Sequence, residues 1–379
     1  MKLQFSGRSL LGMTIGATLL AGCVSGAALV PPPRQAQPAH HAPGAVTVPI
    51  GEPVRSPAPP PRGTLDPGFR RPAPGLADRI ASLWRAFPGK TGIAVQRIDG
   101  EWAIAERGTD LFPQQSVSKL WVAMSILDAV DNGRISLDQK VRIGPEDLVV
   151  FHQPLAARVR SEGSVTMSVR DLIETAITHS DNLANDSLLR TVGGPGAVRA
   201  FIAKKDLGSI RFGPGERLLQ SGTAGLTWQQ SYSIGRNFYT ARAALPMATR
   251  QAAMDKYLAD PVDGASPAAI ASALTRLARG TLLSPESTDY LLGVMTRTHS
   301  GPKRLKAGLP AGWQFLHKTG TGQDLNGMTA GYNDIGIATA PDGTRYAIVV
   351  MLGTTTASIP QRMALMQAVS GAVAEFHGK

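Results

Sequence analysis

Ser116-Val117-Ser118-Lys119-Leu120-Trp121-Val122-Ala123-Met124-Ser125-Ile126-Leu127-Asp128-Ala129-Val130-Asp131-Asn132 is the stretch on which the fold turns. Leu120, Val122, Ala123, Ile126, Leu127 and Val130 recur at helical spacing and the pattern stops at Gly133, which predicts a helix over 116–132. Three residues make nearly one turn, so the Ser116 hydroxyl and the Lys119 amine fall on one face at the start of that helix. A serine hydroxyl is a weak nucleophile until a neighbouring base takes its proton, and an amine in a buried, cation-flanked setting is such a base. The same spacing recurs at Ser300-Gly301-Pro302-Lys303, where the internal Gly-Pro makes a poor helix start.

Outward from this helix the pattern changes on both sides. Thr91 to Ile98 and Trp102 to Glu106 read as two strands of a hairpin around Asp99-Gly100. After the helix, Ser168-Val169-Arg170-Asp171 resembles a capping box and opens a second helix to His179. Further helices are predicted from Asn182 to Thr191, Pro267 to Arg279 and Pro285 to Thr296. Gln314 to Lys318, Ile335 to Thr339 and Tyr346 to Leu352 are short apolar stretches that return to strand, the last two joined by Pro341-Asp342-Gly343, and a helix from Pro360 to Phe376 closes the pattern. Strands at both ends with helices between them predict an α/β (α+β) fold: one antiparallel sheet flanked by helices, with an all-helical subdomain inserted in the middle.

The chain has 379 residues, 43% hydrophobic and 18% charged, which allows a sizeable core in one large or two ordinary domains. That balance, with a mean hydropathy of −0.04, excludes a polytopic membrane protein, a collagen and a mostly disordered chain. One cysteine excludes an intramolecular disulfide, a Cys-rich zinc site and a CxxC redox pair. The net charge of +11 is spread without a Lys/Arg run or an interleaved aromatic ladder, so no nucleic-acid partner is expected.

The amino terminus is a targeting segment. Lys2 and Arg8 precede an apolar stretch from Leu10 to Leu20, too short to span a bilayer comfortably as a helix. Its ending, Leu20-Ala21-Gly22-Cys23, resembles the lipobox at which bacterial lipoproteins are cut and acylated on the cysteine. Residues 1–23 are thus expected to be a lipoprotein signal with Cys23 as the lipidation site. Because Val24 rather than Asp follows, the expected location is the periplasmic face of the cell envelope, anchored in the outer membrane. From Pro31 to Pro74 fall fourteen of the 28 prolines, so residues 24–76 read as a semi-rigid tether and 77–379 as the folded domain.

Two further motifs give the serine its context: Ser180-Asp181-Asn182 at a helix junction, and Lys318-Thr319-Gly320 at the end of an apolar strand. In this order with Ser116-x-x-Lys119, they resemble the penicillin-recognising serine enzymes, and the Ser-Asp-Asn form is similar to class A β-lactamases. The resemblance covers about Trp84 to Phe376 and includes Phe112-Pro113, Gly193-Gly194-Pro195, Gly280-Thr281-Leu282-Leu283-Ser284 and Gly308-Leu309-Pro310-Ala311-Gly312-Trp313. It implies a β-lactamase/transpeptidase-like fold with the active site between sheet and helical part. It also implies a small-molecule β-lactam as substrate, no metal or organic cofactor, and a monomer.

The implied roles are specific. Ser116 would attack the lactam carbonyl with Lys119 relaying its proton, and the backbone N–H groups of Ser116 and Thr321 would hold the oxyanion. Ser180 would pass a proton to the departing nitrogen, and Asn182 would bond the side-chain amide of the substrate. Lys318, Thr319 and Gly320 would face its carboxylate, while Asp181 caps a local turn. Lys303-Arg304-Leu305-Lys306-Ala307-Gly308 resembles the segment from which some class A enzymes supply a carboxylate-binding arginine, here Arg304.

The departures lie in the deacylation segment. Arg211-Phe212-Gly213-Pro214-Gly215-Glu216-Arg217-Leu218-Leu219-Gln220 places Glu216 where the family has its base and Gln220 where it has an Asn, but the proline after the Glu and a loop-bracing arginine are missing. Residues 221–266 read as an insertion rich in aromatic and basic residues. His317 is expected to face away from the site, and His152 and His179 lack metal-ligand spacing. The rival readings are a D-alanyl-D-alanine carboxypeptidase, a slowly deacylating penicillin sensor and an unreactive scaffold. The class C branch needs Tyr-x-Asn, which none of the six tyrosines provides.

Overall fold

The computed structural model describes residues 70–379; the signal segment, Cys23 and most of the Pro-rich tether lie outside them. The chain enters through α1 (Leu76–Ala86), then β1 (Lys90–Arg97), β2 (Ala103–Glu106) and the short β3 (Phe112–Pro113). A 3-10 turn over Gln115–Ser118 leads into α2 (Lys119–Asp131). There follow β4 (Lys140–Ile143), α3 (Ala156–Glu162), β5 (Val165–Ser168), α4 (Val169–Thr178), α5 (Asn182–Thr191), α6 (Pro195–Lys204) and α7 (Glu216–Ala224). Next come α8 (Asn237–Ala244), α9 (Met247–Ala259), β6 (Gly264–Ala265), α10 (Pro267–Ala278) and α11 (Pro285–Thr296). The chain finishes with β7 (Gln314–Thr321), β8 (Asp324–Leu325), β9 (Met328–Thr329), β10 (Tyr332–Thr339), β11 (Arg345–Thr354) and α12 (Ile359–Phe376).

The main sheet has the order β2-β1-β11-β10-β7 and is antiparallel throughout, so both ends of the chain complete it. Side chains alternate across its plane. On β11, Ile348, Val350 and Leu352 pack with α1 and α12, whereas Ala347, Val349 and Met351 face the helices inserted between β2 and β7. Burial on both faces explains why Tyr346 to Leu352 reads as a continuous apolar run rather than an alternating one.

Helix α2 lies at the centre of the helical part, and every residue from Lys119 to Ala129 is buried. A helix apolar nearly all round must be enclosed by other elements, here α4, α5, α6 and α11. The expected helix over 116–132 is divided: Ser116 and Ser118 stand in the 3-10 turn and the α-helix starts at Lys119. The cause is tertiary. Gln115 is held at φ 53°, a costly value for a residue with a Cβ, and its backbone N–H donates to Asp263 Oδ2 at 2.8 Å.

The 221–266 segment is packed into the rest of the domain. Its β6 pairs with β3 immediately ahead of the nucleophile turn, and α9 packs on α7. Tyr257 on α9 donates its hydroxyl to Asp263 Oδ1 at 2.8 Å and accepts from Gln115 Nε2 at 2.6 Å. Aromatic residues of the segment, Trp228, Tyr232 and Phe238, gather around Val150 and Phe151.

Candidate active site

The Ser116 turn, the Ser180–Asn182 junction, the start of α7 and the end of β7 converge on one cavity of about 270 Å³. Ser116, Ser180, Asn182, Glu216, Gln220, Ser300, Arg304, Thr319 and Thr321 line it, with Phe151, His152 and His179 at its rim. Lys119 Nζ stands at its floor and donates to Ser116 Oγ and to Glu216 Oε1, both at 2.8 Å. The Lys119–Glu216 ion pair is buried, with side-chain exposures of 0% and 7%. A pair this dry holds only if its remaining hydrogen-bonding capacity is met. Gln220, one helical turn after Glu216, supplies part of that: its Nε2 donates to Glu216 Oε2 at 3.2 Å and to Gln115 Oε1 at 3.1 Å. Gln323 Nε2 in turn donates to Gln220 Oε1 at 3.0 Å, fixing the amide's orientation.

Helix α7 begins at Glu216 because Gly215, at φ 94°, turns the chain in a conformation that a side chain disfavours. The loop ahead of it is braced after all, though not at the position where the family keeps its arginine. Arg199 Nη1 donates to the Phe212 carbonyl at 3.0 Å, and Arg211 Nη1 bonds Asp260 across the loop.

Ser180 is held at φ 57°, and Lys318 Nζ donates to its hydroxyl at 2.9 Å. Burial, then Lys119 and Arg304, holds the Lys318 ammonium well below the usual lysine range. Asp181 caps α5, accepting from Ala184 N at 2.8 Å and from Leu155 N at 2.7 Å; burial pushes its carboxyl up against those bonds. Asn182 Nδ2 donates to the Val150 carbonyl at 2.9 Å, tying the motif to the Phe151 rim.

Lys318 reaches into the site, whereas the His317 ring turns to Asp334, its Nδ1 lying 2.8 Å from Oδ1. Gly320 does not look into the cavity. A Cβ there would lie 2.3 Å from the Gln114 carbonyl, so its part is to let β7 pass against the nucleophile turn.

Arg304 is built into the frame. Its Nη1 donates to the carbonyls of Asn333 (2.6 Å) and Gly320 (3.2 Å), its Nη2 to Thr321 Oγ1 (2.6 Å), and its guanidinium lies 3.8 Å from the Tyr332 ring centroid. Arg304→Ala is expected to cost about 2 kcal/mol of stability, because charged hydrogen bonds are lost and buried carbonyls are left unpaired. It is also expected to raise KM for anionic substrates about tenfold, read from steady-state kinetics and urea unfolding of the same samples. An unchanged KM in the folded variant would take Arg304 out of substrate binding.

Several site residues escape a sequence reading. Ser300 belongs to the discounted second Ser-x-x-Lys, yet its hydroxyl lies 2.7 Å from Thr319 Oγ1. Asp186 stands behind Glu216 and accepts from its backbone N–H at 3.3 Å. Its carboxyl is pushed up to about 7, first by burial and then by the Glu216 charge; burial also raises Asp263 to about 6. The four-residue step from Asn182 to Asp186 along α5 was a readable signal, since it places both on one helix face. Nothing local marks Gln115, Tyr257, Asp263 or Gln323. Among the described residues no group of three His, Cys, Asp or Glu side chains is placed to hold a metal ion.

Comparison with known proteins agrees with this geometry. The profile of the β-lactamase enzyme family matches residues 75–376. β-Lactamase VEB-1 of Pseudomonas aeruginosa is 26% identical over 279 residues, covering 73% of this chain and 82% of that protein. Extended-spectrum β-lactamase PER-1 of the same organism is 28% identical over 307 residues, covering 81% and 89%. Among solved structures, an ancestral (GNCA) class A β-lactamase superposes with a TM-score of 0.64 at 31% identity, covering 79% of this chain and 99% of that one. Because the match runs from α1 to α12 and extends to class A relatives in both sequence and structure, the chain belongs to the β-lactamase enzyme family, within class A.

Proposed function

We propose that the protein hydrolyses β-lactams through an acyl-enzyme on Ser116. The observation that carries this reading is the single amine of Lys119 shared between the Ser116 hydroxyl and the Glu216 carboxylate at equal distances. In acylation the Ser116 oxygen attacks the lactam carbonyl as its proton passes to the Lys119–Glu216 pair. The developing oxyanion is met by the backbone N–H groups of Ser116 and Thr321. Ser180 then passes a proton to the departing ring nitrogen and is resupplied with the one that the Lys119–Glu216 pair took from Ser116, Lys318 steadying its hydroxyl, while Thr319, Ser300 and Arg304 take the carboxylate. In deacylation Glu216 accepts a proton from a water that attacks the ester carbonyl, and the Ser116 oxygen leaves with a proton returned to it.

A carboxypeptidase or sensor would need only the acylation half. The placement of Glu216 beside Ser116, oriented by Gln220, supplies the other half and favours hydrolysis. Intact-protein mass spectrometry after mixing with a penicillin, with the drug assayed alongside, tests this. Turnover without a lasting adduct is expected; a persistent adduct would mean a sensor, and neither would mean a scaffold. The site is complete within one chain, so a monomer suffices.

For the location, the support is the Leu20-Ala21-Gly22-Cys23 sequence alone. It favours a protein diacylated on Cys23 and anchored at the periplasmic face of the outer membrane, with the Pro-rich segment as tether. Labelled palmitate should enter the wild-type protein and fail to enter Cys23→Ser, which should be released or remain as precursor. Absence of label from the wild type would overturn the anchor.

A further inference from the structure

Two of the seven histidines, His152 and His179, line the cavity and a third, His299, stacks on His179, although the sequence spaces them far apart. The rings of His179 and His299 are stacked, with centroids 4.7 Å apart and planes at 28°. Their backbones are tied where α4 ends, the His299 N–H donating to the Thr178 carbonyl at 2.9 Å. His152 Nε2 lies 2.9 Å from the His179 carbonyl. A carbonyl only accepts, so this nitrogen carries the proton and the contact pins the pair from the Phe151 side. All three residues are exposed.

The place of the stack matters more than its composition. His179 directly precedes Ser180, the partner of Lys318, and His299 directly precedes Ser300, the partner of Thr319. The pair therefore stands just outside the groups that take the substrate carboxylate, where the next substituent of the fused ring would emerge. We propose that His179 and His299 form a subsite for the ring substituent beside that carboxylate, with preference for a planar acidic heterocycle. This rests on the β-lactam reading above. Flat imidazoles offer a face on which a heterocycle lies, and an imidazole N–H donates a hydrogen bond to an anionic ring atom.

Most charged groups on the surrounding elements are already partnered. Glu174 on α4 is bonded to Arg297 through two contacts of 2.7 and 2.8 Å, so these cancel locally. Lys318 on β7 is turned to Ser180, Arg304 bonds Thr321 and two carbonyls at the carboxylate position, and Asp181 is buried in its cap. Lys303 is exposed, and His152 is the third ring of the rim.

The test uses two cephalosporins with the same C7 side chain, one bearing a neutral acetoxymethyl group at C3 and the other an anionic triazinedione thioether. The ratio of their KM values is measured for the wild type and for His179→Gln/His299→Gln. In the wild type the anionic compound is expected to have the lower KM by about fivefold, and in the double variant the two values should converge. Equal KM values in the wild type, or a double variant that keeps the preference, would overturn the subsite. The wild-type arm can overturn it even if the variant fails to fold, and His179→Asn/His299→Asn then replaces the variant. Normal hydrolysis without the preference counts against the subsite alone. Failure to hydrolyse either compound counts against the proposed function, and the ratio is then read from dissociation constants by calorimetry.

Discussion

Glu216→Gln is expected to give a stoichiometric burst with a chromogenic cephalosporin and then to stall, with steady turnover at least about 10³-fold below wild type. The two half-reactions use different parts of the site. Acylation draws on Ser116 Oγ and Lys119 Nζ, which meet at 2.8 Å, and with the carboxylate replaced the amine itself can take the serine proton. Hydrolysis of the ester needs a carboxylate to take the proton of the attacking water, and an amide cannot. The replacement is nearly isosteric and keeps a carbonyl oxygen for Lys119, so the acyl-enzyme should persist and be visible by mass as an adduct on Ser116. Equal turnover in both proteins would assign the water to another base. A stall in the wild type as well would make the protein a penicillin-binding relative, despite the placement of Glu216.

Lys119→Met is expected to lose acylation itself, by about 10³-fold or more in kcat/KM, and to unfold at markedly lower urea. The side chain is fully enclosed and Glu216 is nearly so. Methionine fills most of the volume but leaves the carboxylate buried without its counter-charge, a change that costs about 3–5 kcal/mol. Stability and chemistry are separable here. Adding Glu216→Gln removes the stranded charge, so the double variant should regain much of the stability while remaining without acylation. If the double variant is no more stable than Lys119→Met, the ion pair is not what the lysine contributes. If Lys119→Met still acylates at the wild-type rate, the proton of Ser116 leaves by another route.

Both effects run through contacts between residues far apart in the chain, and that governs what a reader of the sequence can find. The elements were legible where a local pattern forces them. Helix α5 spans Asn182–Thr191 and α11 spans Pro285–Thr296, as their caps and prolines indicate; Asp181 and Ser284 each accept from the backbone of the first turn. The antiparallel sheet was legible because strands at the two ends of the chain have no other partners to complete them. The chemistry of Ser116, Lys119, Ser180 and Lys318 was legible because each motif is short and the first fits within one helical turn.

Helix α1, which packs on α12, and the helices of the 221–266 segment, of which α9 packs on α7, were not anticipated. The 3-10 start of the nucleophile helix was hidden for a related reason: Asp263, 148 positions away, takes the Gln115 N–H and holds the turn in a conformation the residue would not choose alone. Gly320 shows the same limit, for its closeness to the Gln114 carbonyl exists only once β7 is laid against that turn. The sequence by itself determined which groups are reactive and which elements carry them, because propensity, capping and motif spacing act over a few residues. Only the tertiary structure decided that Glu216 shares Lys119 with Ser116, that Arg304 is a frame member, and that three histidines gather beside the site, because each depends on packing between elements that no local rule fixes.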